Sequence, residues 1–158
     1  MTESVSVRPA RSGEAEALTG LAVRSKAYWG YEAEFMARAL PDLTVDPDAI
    51  EAGMVLVAKD GDGIAGFAGL EQVGPGVVNA SGLFVAPERI GTGVGRILFQ
   101  AMAAHARKRA TPQEPARVLT IVSDPNAEDF YLRMGAIRVG EERVAVTGRS
   151  LPLLSYAL

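Results

Sequence analysis

The stretch Val85-Ala86-Pro87-Glu88-Arg89-Ile90-Gly91-Thr92-Gly93-Val94-Gly95-Arg96 decides the fold. An apolar strand pattern ends at its start, and a helical pattern begins at its end. The glycine loop between them, residues 91–95, has glycine at every second position. Glycine adopts positive φ and lets a ligand approach the backbone closely, and a helix start presents unpaired N–H groups and a partial positive charge. The stretch therefore predicts an anion site, usually for phosphate.

Two familiar phosphate motifs do not fit the glycine loop. The dinucleotide fingerprint G-x-G-x-x-G would need glycine at Arg96 or at Leu98, counted from Gly91 or Gly93. A P-loop needs lysine directly after its last glycine, and no lysine lies near this loop. A purely structural strand-to-helix turn stays open as an alternative, although one glycine would be enough for it.

Upstream of the loop, the pattern predicts a strand, two helices and an antiparallel meander. Ser12 is a plausible N-cap for the first helix, and Pro41 should end the second. The turn signal Asp60-Gly61-Asp62-Gly63 separates the first two strands of the meander. The predicted elements are a strand at Val5–Val7, helices to about Lys26 and at Glu32–Leu40, a helical turn at Asp48–Ala52, and strands at Met54–Ala58, Ile64–Leu70 and Val77–Val85.

Downstream of the loop, apolar residues recur at helical spacing from Val94 until a stop before Pro112. A buried strand at Val118–Val122 follows, and then a helix capped by Asp124-Pro125 and closed by Gly135. The final strands are predicted at Ile137–Val146 and Leu151–Leu158. This order predicts one α/β (α+β) domain over residues 1–158, with a mixed, mostly antiparallel sheet of six to seven strands and about four helices on its two faces.

Composition narrows the function classes. The 158 residues include no cysteine, which excludes disulfides, thiolate catalysis and cysteine-based zinc sites. The single histidine makes a metal site improbable, and the net charge of −3 argues against a nucleic-acid partner. No apolar run approaches the roughly 18 residues of a membrane helix, and the N-terminus has no secretory pattern. We expect a cytoplasmic protein with no membrane, nucleic-acid or metal partner.

Two motifs together resemble the GNAT superfamily of acyl-CoA-dependent N-acyltransferases. Its pyrophosphate loop is usually written [RQ]-x-x-G-x-[GA], and here Gly93 and Gly95 match while Ile90 stands at the basic or glutamine position and Arg89 lies one residue early. The segment Ser123–Ala136 is similar to the family's N-x-x-A-x-x-F-Y-x-x-x-G-F region, with a shorter spacing between the Asn and the Phe. The resemblance covers nearly the whole chain in element order.

The resemblance implies a GNAT-like fold and transfer of an acetyl group from acetyl-CoA, by direct attack, to a primary amine of a small molecule or peptide. It implies that Tyr131 lies near the thioester sulfur as general acid, although Tyr131 also falls on an apolar helical stripe and fits a core role. The residues implied to bind CoA are the strand residues Leu83, Phe84 and Val85, the loop residues Ile90, Gly91, Thr92, Gly93, Val94, Gly95 and Arg96, and Asn126 and Phe130 of the second motif.

The acceptor and the general base are less constrained. Tyr28, Trp29 and Tyr31 lie at the junction of the first two helices, which in the resembled family forms part of the acceptor site; packing on the core is the alternative. Some relatives place an acidic residue or histidine where this chain has Ser81 and Gly82. Glu71 is then the first candidate base, Glu88 the second, and a water chain without a dedicated base a third possibility.

Three further alternatives stay open. A non-catalytic acyl-CoA-binding module would keep the glycine loop without the chemistry. A partner-binding α/β domain would use the loop only as a turn. The apolar segment Leu151–Leu154 could support a homodimer, as the last strands do in some relatives, or could be an inner strand.

Overall fold

A single seven-stranded sheet organises the chain, in the order β1-β2-β3-β4-β5-β7-β6. The computed structural model describes residues 4–61, 63–109, 113, 115–145 and 147–158. Paired strands run antiparallel except β4 and β5, which are parallel. The predicted mixed sheet is therefore confirmed. The strands are β1 Val5–Pro9, β2 Val55–Asp60, β3 Gly63–Gly74, β4 Val77–Val85, β5 Val118–Val122, β6 Ile137–Arg143 and β7 Ser150–Ala157.

Helices cover both faces of this sheet, as the element order predicts. One face packs against the N-terminal helices through buried residues such as Leu18, Val57 and Phe67. The other packs against the later helices through a larger core that includes Leu98 and Phe99. The helices are α1 Ala15–Ala27, α2 Ala33–Leu43, α3 Pro47–Glu51, α4 Val94–Arg109 and α5 Glu128–Arg133, with 3₁₀ turns at Pro87–Arg89 and Pro125–Ala127.

Two predicted helix boundaries are wrong. Helix α1 is preceded by Glu14, not Ser12, because residues 11–14 form a turn in which the Glu14 amide donates to the Arg11 carbonyl at 3.1 Å. The Glu14 carboxylate accepts from Arg8 at 2.8 and 2.9 Å and from the Arg11 amide at 2.6 Å. Helix α2 continues through Pro41 to Leu43. A proline in the last turn removes only one hydrogen bond, and the extension buries Leu43 in the core.

Strand ends also differ from the predictions. Strand β3 extends beyond the predicted end at Leu70 to Gly74, so Glu71 lies within the strand, opposite Asn79. The segment Leu151–Leu154 belongs to β7, an inner strand that pairs with both β5 and β6. The predictions that involve Asp62, Pro112 and Val146 fall outside the described residues.

The parallel pair β4 and β5 separates part of the way along. Its pairing runs from Val77 opposite Val118 to Ala80 opposite Ile121, while β4 continues to Val85. At the same point the β3–β4 register shifts, because Gly69 pairs with Gly82 and Leu70 with Ala80, which leaves Ser81 as an extra residue. Such a bulge bends the strand that carries it. The result is the β4–β5 gap, the space beyond the last pair of the two strands.

Candidate active site

The backbone of β4 faces the β4–β5 gap with free polar groups. The Ala86 amide donates to the Ala65 carbonyl at 2.8 Å, so it points toward β3. The N–H and C=O groups of successive residues point to opposite edges of a strand. Those of Phe84 therefore point toward β3, as the Ala86 amide does, and those of Leu83 and Val85 point into the gap. A donor at this place can stabilise an oxyanion.

A cavity of about 470 Å³, here called the central cavity, occupies the gap. Its volume lies in the range of small-molecule sites. The α1–α2 segment, β4, the end of β5, α5 and the loop before β7 all contribute to its wall. Of the sequence-predicted site residues, it brings together Trp29, Glu71, Leu83, Phe84 and Tyr131.

Tyr131 belongs to the apolar core and also lies in the wall of the central cavity. Its ring packs against Phe99 and Phe130, with centroids 6.1 and 5.1 Å away, and only 7% of the residue is exposed. It also lines the central cavity. Burial raises the pKa of the phenol, and the nearby Asp124 charge raises it further. The hydroxyl therefore stays protonated at neutral pH and can donate a proton.

Glu71 is an exposed carboxylate shared by two cavities. The second, here the side cavity, measures about 630 Å³ and extends from Glu71 and Ser81 toward the α2–α3 connection. Glu88, the other candidate base, lies in the 3₁₀ turn before the glycine loop and outside the lining of both cavities. Of the two carboxylates, only Glu71 is placed beside the gap.

The glycine loop leads into α4 with exposed backbone. Gly91 and Gly93 have φ of +84° and +95°, which other residues rarely adopt. The first helical hydrogen bond runs from the Ile97 amide to the Gly93 carbonyl at 3.2 Å. The amides of residues 94–96 precede it, and no acceptor for them occurs among the described residues. They form a donor set suited to a phosphate.

Contacts around the loop explain its other residues. Gly95 allows close packing, since a Cβ there would lie 3.4 Å from the Phe130 ring. Arg89, the basic residue that precedes the expected motif position, forms a 2.7 Å ion pair with Asp60 of β2. Its charge is therefore directed to the sheet, and Ile90 beside it offers only its backbone. None of residues 90–96 lines the central cavity.

A polar cluster closes the central cavity at the end of β5. The carboxylate of Asp124 accepts hydrogen bonds from Lys26 at 2.9 Å, from Tyr31 at 2.7 Å, and from the Asn126 amide and side chain, each at 2.9 Å. Burial alone would raise the pKa of Asp124, but the hydrogen bonds from Lys26, Asn126 and Tyr31 outweigh it and hold that pKa below its usual value. Asp124 is therefore a carboxylate at neutral pH.

The aromatic residues of the α1–α2 junction take three different positions. Trp29 lines the central cavity and is 44% exposed. Tyr31 stacks on Phe35, with centroids 4.5 Å apart, and its hydroxyl belongs to the cluster. Tyr28 packs edge-on against Trp29 and does not line the cavity. Asn126, expected at the CoA arm, also donates to the Tyr31 hydroxyl at 3.2 Å.

Sequence reasoning missed part of this cluster. The sequence pattern marks Asp124 only as a helix cap, although Ser123 and Asp124 directly follow the carboxyl end of a strand in a parallel pair, where ligands commonly bind. It does cap the 3₁₀ turn as well. Arg149, in the loop before β7, also lines the cavity and has no local motif that could have indicated it.

Comparison with known proteins connects this geometry to one family. The family model described as an acetyltransferase (GNAT) domain matches residues 51–135. That range includes the meander, the glycine loop and α5. A search of curated proteins gave no match.

Solved structures share the fold at low sequence identity. A GCN5-related N-acetyltransferase from Rhodopseudomonas palustris is 22% identical, with a TM-score of 0.75, and the match covers 100% of this chain and 98% of that one. The PaiA N-acetyltransferase from Thermoplasma acidophilum, in complex with coenzyme A, is 15% identical with a TM-score of 0.79 over 98% and 99% of the two chains. A ribosomal-protein-alanine N-acetyltransferase from Brucella melitensis is 19% identical with a TM-score of 0.67 over 97% and 99%.

The described residues contain neither a membrane-spanning helix nor a metal-binding cluster. No described helix has both the length and the apolar character needed to cross a membrane. No group of three or more histidine, aspartate or glutamate residues in the described ranges is arranged to hold a metal ion.

Proposed function

The chain belongs to the acetyltransferase (GNAT) family, and on that premise we propose that it transfers an acetyl group from acetyl-CoA directly to a primary amine of a small molecule or peptide. The observation that carries the proposal is the β4–β5 gap, which places free backbone donors of β4 beside the buried phenol of Tyr131. In this proposal residues 1–158 act as one domain.

The residues around the gap fit acetyl-CoA. The amides of residues 94–96, in the first turn of α4, would hold the pyrophosphate, since they have positive potential and no acceptor among the described residues. The free edge of β4 at Leu83 and Val85 would form hydrogen bonds with the amide groups of the pantetheine arm. The arm would thus take the place of a neighbouring strand. The Phe130 ring packs against Gly95 and so supports the glycine loop beside the proposed pyrophosphate site.

The chemistry then needs three groups. A neutral amine attacks the thioester carbonyl, and an N–H of Leu83 or Val85 stabilises the oxyanion that forms. Glu71, directly or through water, takes the proton that the amine must lose. When the C–S bond breaks, Tyr131 gives its proton to the leaving sulfur, so that the products are the N-acetyl amine and CoA thiol. The phenol then regains a proton from solvent.

A calorimetric titration with acetyl-CoA tests the cosubstrate site. Gly93→Asp adds a negative charge where the pyrophosphate would lie, so its affinity should fall at least about tenfold below that of the isosteric Gly93→Asn. Gly13→Asp is the matched control, because Gly13 has a similar φ of +92° in a distant turn. It should bind acetyl-CoA as the wild type does. A wild type that binds no CoA would contradict the proposal and favour a structural turn.

Turnover separates an enzyme from a non-catalytic CoA-binding module. The release of CoA thiol from acetyl-CoA is followed with a panel of primary amines that includes amino acids, diamines and short peptides. Amine-dependent release supports the transferase. Tight acetyl-CoA binding without release across the panel would support the binding module.

A further inference from the structure

The polar cluster at the end of β5 contains one saturated group and one unsatisfied group. Asp124 accepts four hydrogen bonds within 3 Å, from Lys26, Tyr31 and two groups of Asn126. A carboxylate has about four lone-pair sites, so Asp124 has no capacity left for another donor. Other donors in the cluster therefore need a different acceptor.

Arg149 is the unsatisfied group. Its Nη1 donates to the neutral Tyr31 hydroxyl at 3.2 Å. Its Nη2 is 3.7 Å from Asp124 Oδ2, too far for a hydrogen bond. Its Nε is buried and has no partner among the described residues. A guanidinium has five N–H donors. In Arg149, which lines the central cavity, only the Nη1 donor has a hydrogen-bond acceptor among the described residues.

The cluster also carries an excess positive charge. Lys26 and Arg149 contribute two cations, and Asp124 is the one carboxylate that they share. The three side chains are only 15%, 27% and 16% exposed. Withdrawing an uncompensated charge from water costs free energy unless a partner neutralises it. An anion bound in the central cavity would balance this formal charge.

The guanidinium is also held in a fixed orientation. Its central carbon lies 4.7 Å from the ring centroid of Phe35 and 5.1 Å from that of Tyr31. These two rings are stacked on each other, and Lys26 lies beside the same pair. An oriented guanidinium binds a planar carboxylate through two parallel hydrogen bonds, which an ammonium cannot do.

The cavity wall also carries carboxylates away from the cluster, while Glu142 and Arg143 contribute one charge of each sign. Asp42 and Glu71 line the same central cavity, on the side next to the side cavity. One region of the wall thus suits an anion and another suits an amine. The cavity volume of about 470 Å³ is that of a small-molecule site.

We propose that Arg149, with Lys26 beside it, binds a carboxylate of the acyl acceptor, so that the acceptor is a small amino carboxylate of the amino-acid type. The proposal rests on the proposed acetyltransferase function and narrows its substrate class. Arg149 is then a specificity-determining residue, and the amine of the same molecule points toward Glu71 and the acetyl group.

The test compares each amino acid with its own α-amide, and it includes a diamine as an acceptor without a carboxylate. The value of kcat/KM for CoA release is measured with the common L-amino acids, with the α-amide of each, and with 1,4-diaminobutane. The wild type should favour its best amino acid over the matching amide by at least about tenfold. In Arg149→Gln that ratio should fall to about one, with KM for acetyl-CoA changed by less than about twofold. Arg149→Lys should recover part of the ratio.

A structural role for Arg149 would change all acceptors alike and leave the ratio intact, which would overturn the proposal. A wild type that prefers amides or the diamine would overturn it too. Lys26→Gln, on a helix, provides a second variant if Arg149→Gln unfolds, and it should reduce the same ratio.

Binding without turnover gives an independent readout. Trp29 is the sole tryptophan and lines the cavity, so its fluorescence reports ligands there. The amino acids and amides are titrated in the presence of CoA. If no amine is acetylated, the proposed function fails, and a fluorescence response to amino acids that amides and Arg149→Gln lack would still support the carboxylate site. Equal responses, or none, would overturn it.

Discussion

The Tyr31 hydroxyl donates a 2.7 Å hydrogen bond to Asp124 Oδ2, although the two residues lie 93 positions apart in the sequence. The bond joins the α1–α2 junction, on one face of the sheet, to the end of β5, where the β4–β5 gap opens. Lys26 makes a second link to the same carboxylate at 2.9 Å. Asp124 is thus the main link between the two walls of the central cavity, and weaker 3.2 Å bonds from Asn126 and Arg149 to the Tyr31 hydroxyl add to it.

Asp124→Asn should therefore destabilise the fold. The substitution keeps the shape of the side chain but leaves Lys26 and Arg149 without a neutralising charge in a mostly buried place. We expect a loss of about 2 kcal/mol in the free energy of unfolding, measured by urea denaturation at pH 7. Asp129→Asn, on the exposed surface of α5, is the control and should change stability by less than about 0.5 kcal/mol.

The difference in unfolding free energy between the wild type and Asp124→Asn should depend on pH. The pKa of Asp124 is lower in the folded than in the unfolded chain, so the folded state favours the ionised form. Its contribution to stability is present above the unfolded pKa of about 4 and is lost as pH falls through the folded value. The difference between wild type and Asp124→Asn should shrink below about pH 4. A difference that stays constant with pH would contradict the charge argument.

Tyr131→Phe should lower kcat about a hundredfold while leaving the affinity for acetyl-CoA nearly unchanged, because it removes a proton donor from a ring that remains packed. Since burial raises the pKa of this phenol, the loss should persist across neutral and mildly alkaline pH. Stopped assays of CoA release and calorimetry give the two quantities. Tyr156→Phe, on β7 against Phe99, controls for removal of a hydroxyl. An unchanged kcat would remove Tyr131 from the mechanism.

Glu71→Gln should lower kcat/KM by about ten- to a hundredfold if its carboxylate takes the proton of the amine. The loss should be largest at lower pH, where less of the amine is neutral in solution. Glu88→Gln, which changes the same residue type outside both cavities, should stay within about twofold of the wild type. Equal activity of the two variants would favour a water chain without a dedicated base.

The order of strands and helices along the chain and the position of the glycine loop could be predicted from the sequence, because both depend on local signals. Alternating apolar residues mark the strands, and Gly91 and Gly93 mark backbone that needs positive φ. The separation of β4 from β5 could not be predicted in this way. It follows from a register shift at Ser81, which is visible only in the pairing of β4 with β3. Helix α2 likewise runs past Pro41 because tertiary burial of Leu43 outweighs the local preference.

The acceptor side of the cavity was the least predictable part. The sequence places Tyr28, Trp29 and Tyr31 together, but it does not show that they take different positions. Arg149 reaches the cavity from the loop before β7, 118 residues from its partner Tyr31. A contact over that separation depends on how the whole sheet is assembled, so it cannot be predicted from the spacing of residues in the sequence. The roles assigned to the site residues remain predictions that the variants above test.

Substitution of two glycines by alanine should give effects of opposite sign. A Cβ on Gly66 would lie 2.6 Å from the Phe84 carbonyl oxygen and 3.3 Å from Val85 Cα, which are backbone atoms that cannot move aside without shifting β4. Gly66→Ala should destabilise the fold by about 2 kcal/mol. It should also weaken acetyl-CoA binding, because the displaced segment of β4 borders the gap. Gly20→Ala, in the interior of α1 with nothing within 4 Å of its Cβ, should instead stabilise the fold by about 0.5 to 1 kcal/mol. Urea denaturation of both variants checks the signs, and a neutral Gly66→Ala would show that β3 and β4 are less closely apposed than these distances indicate.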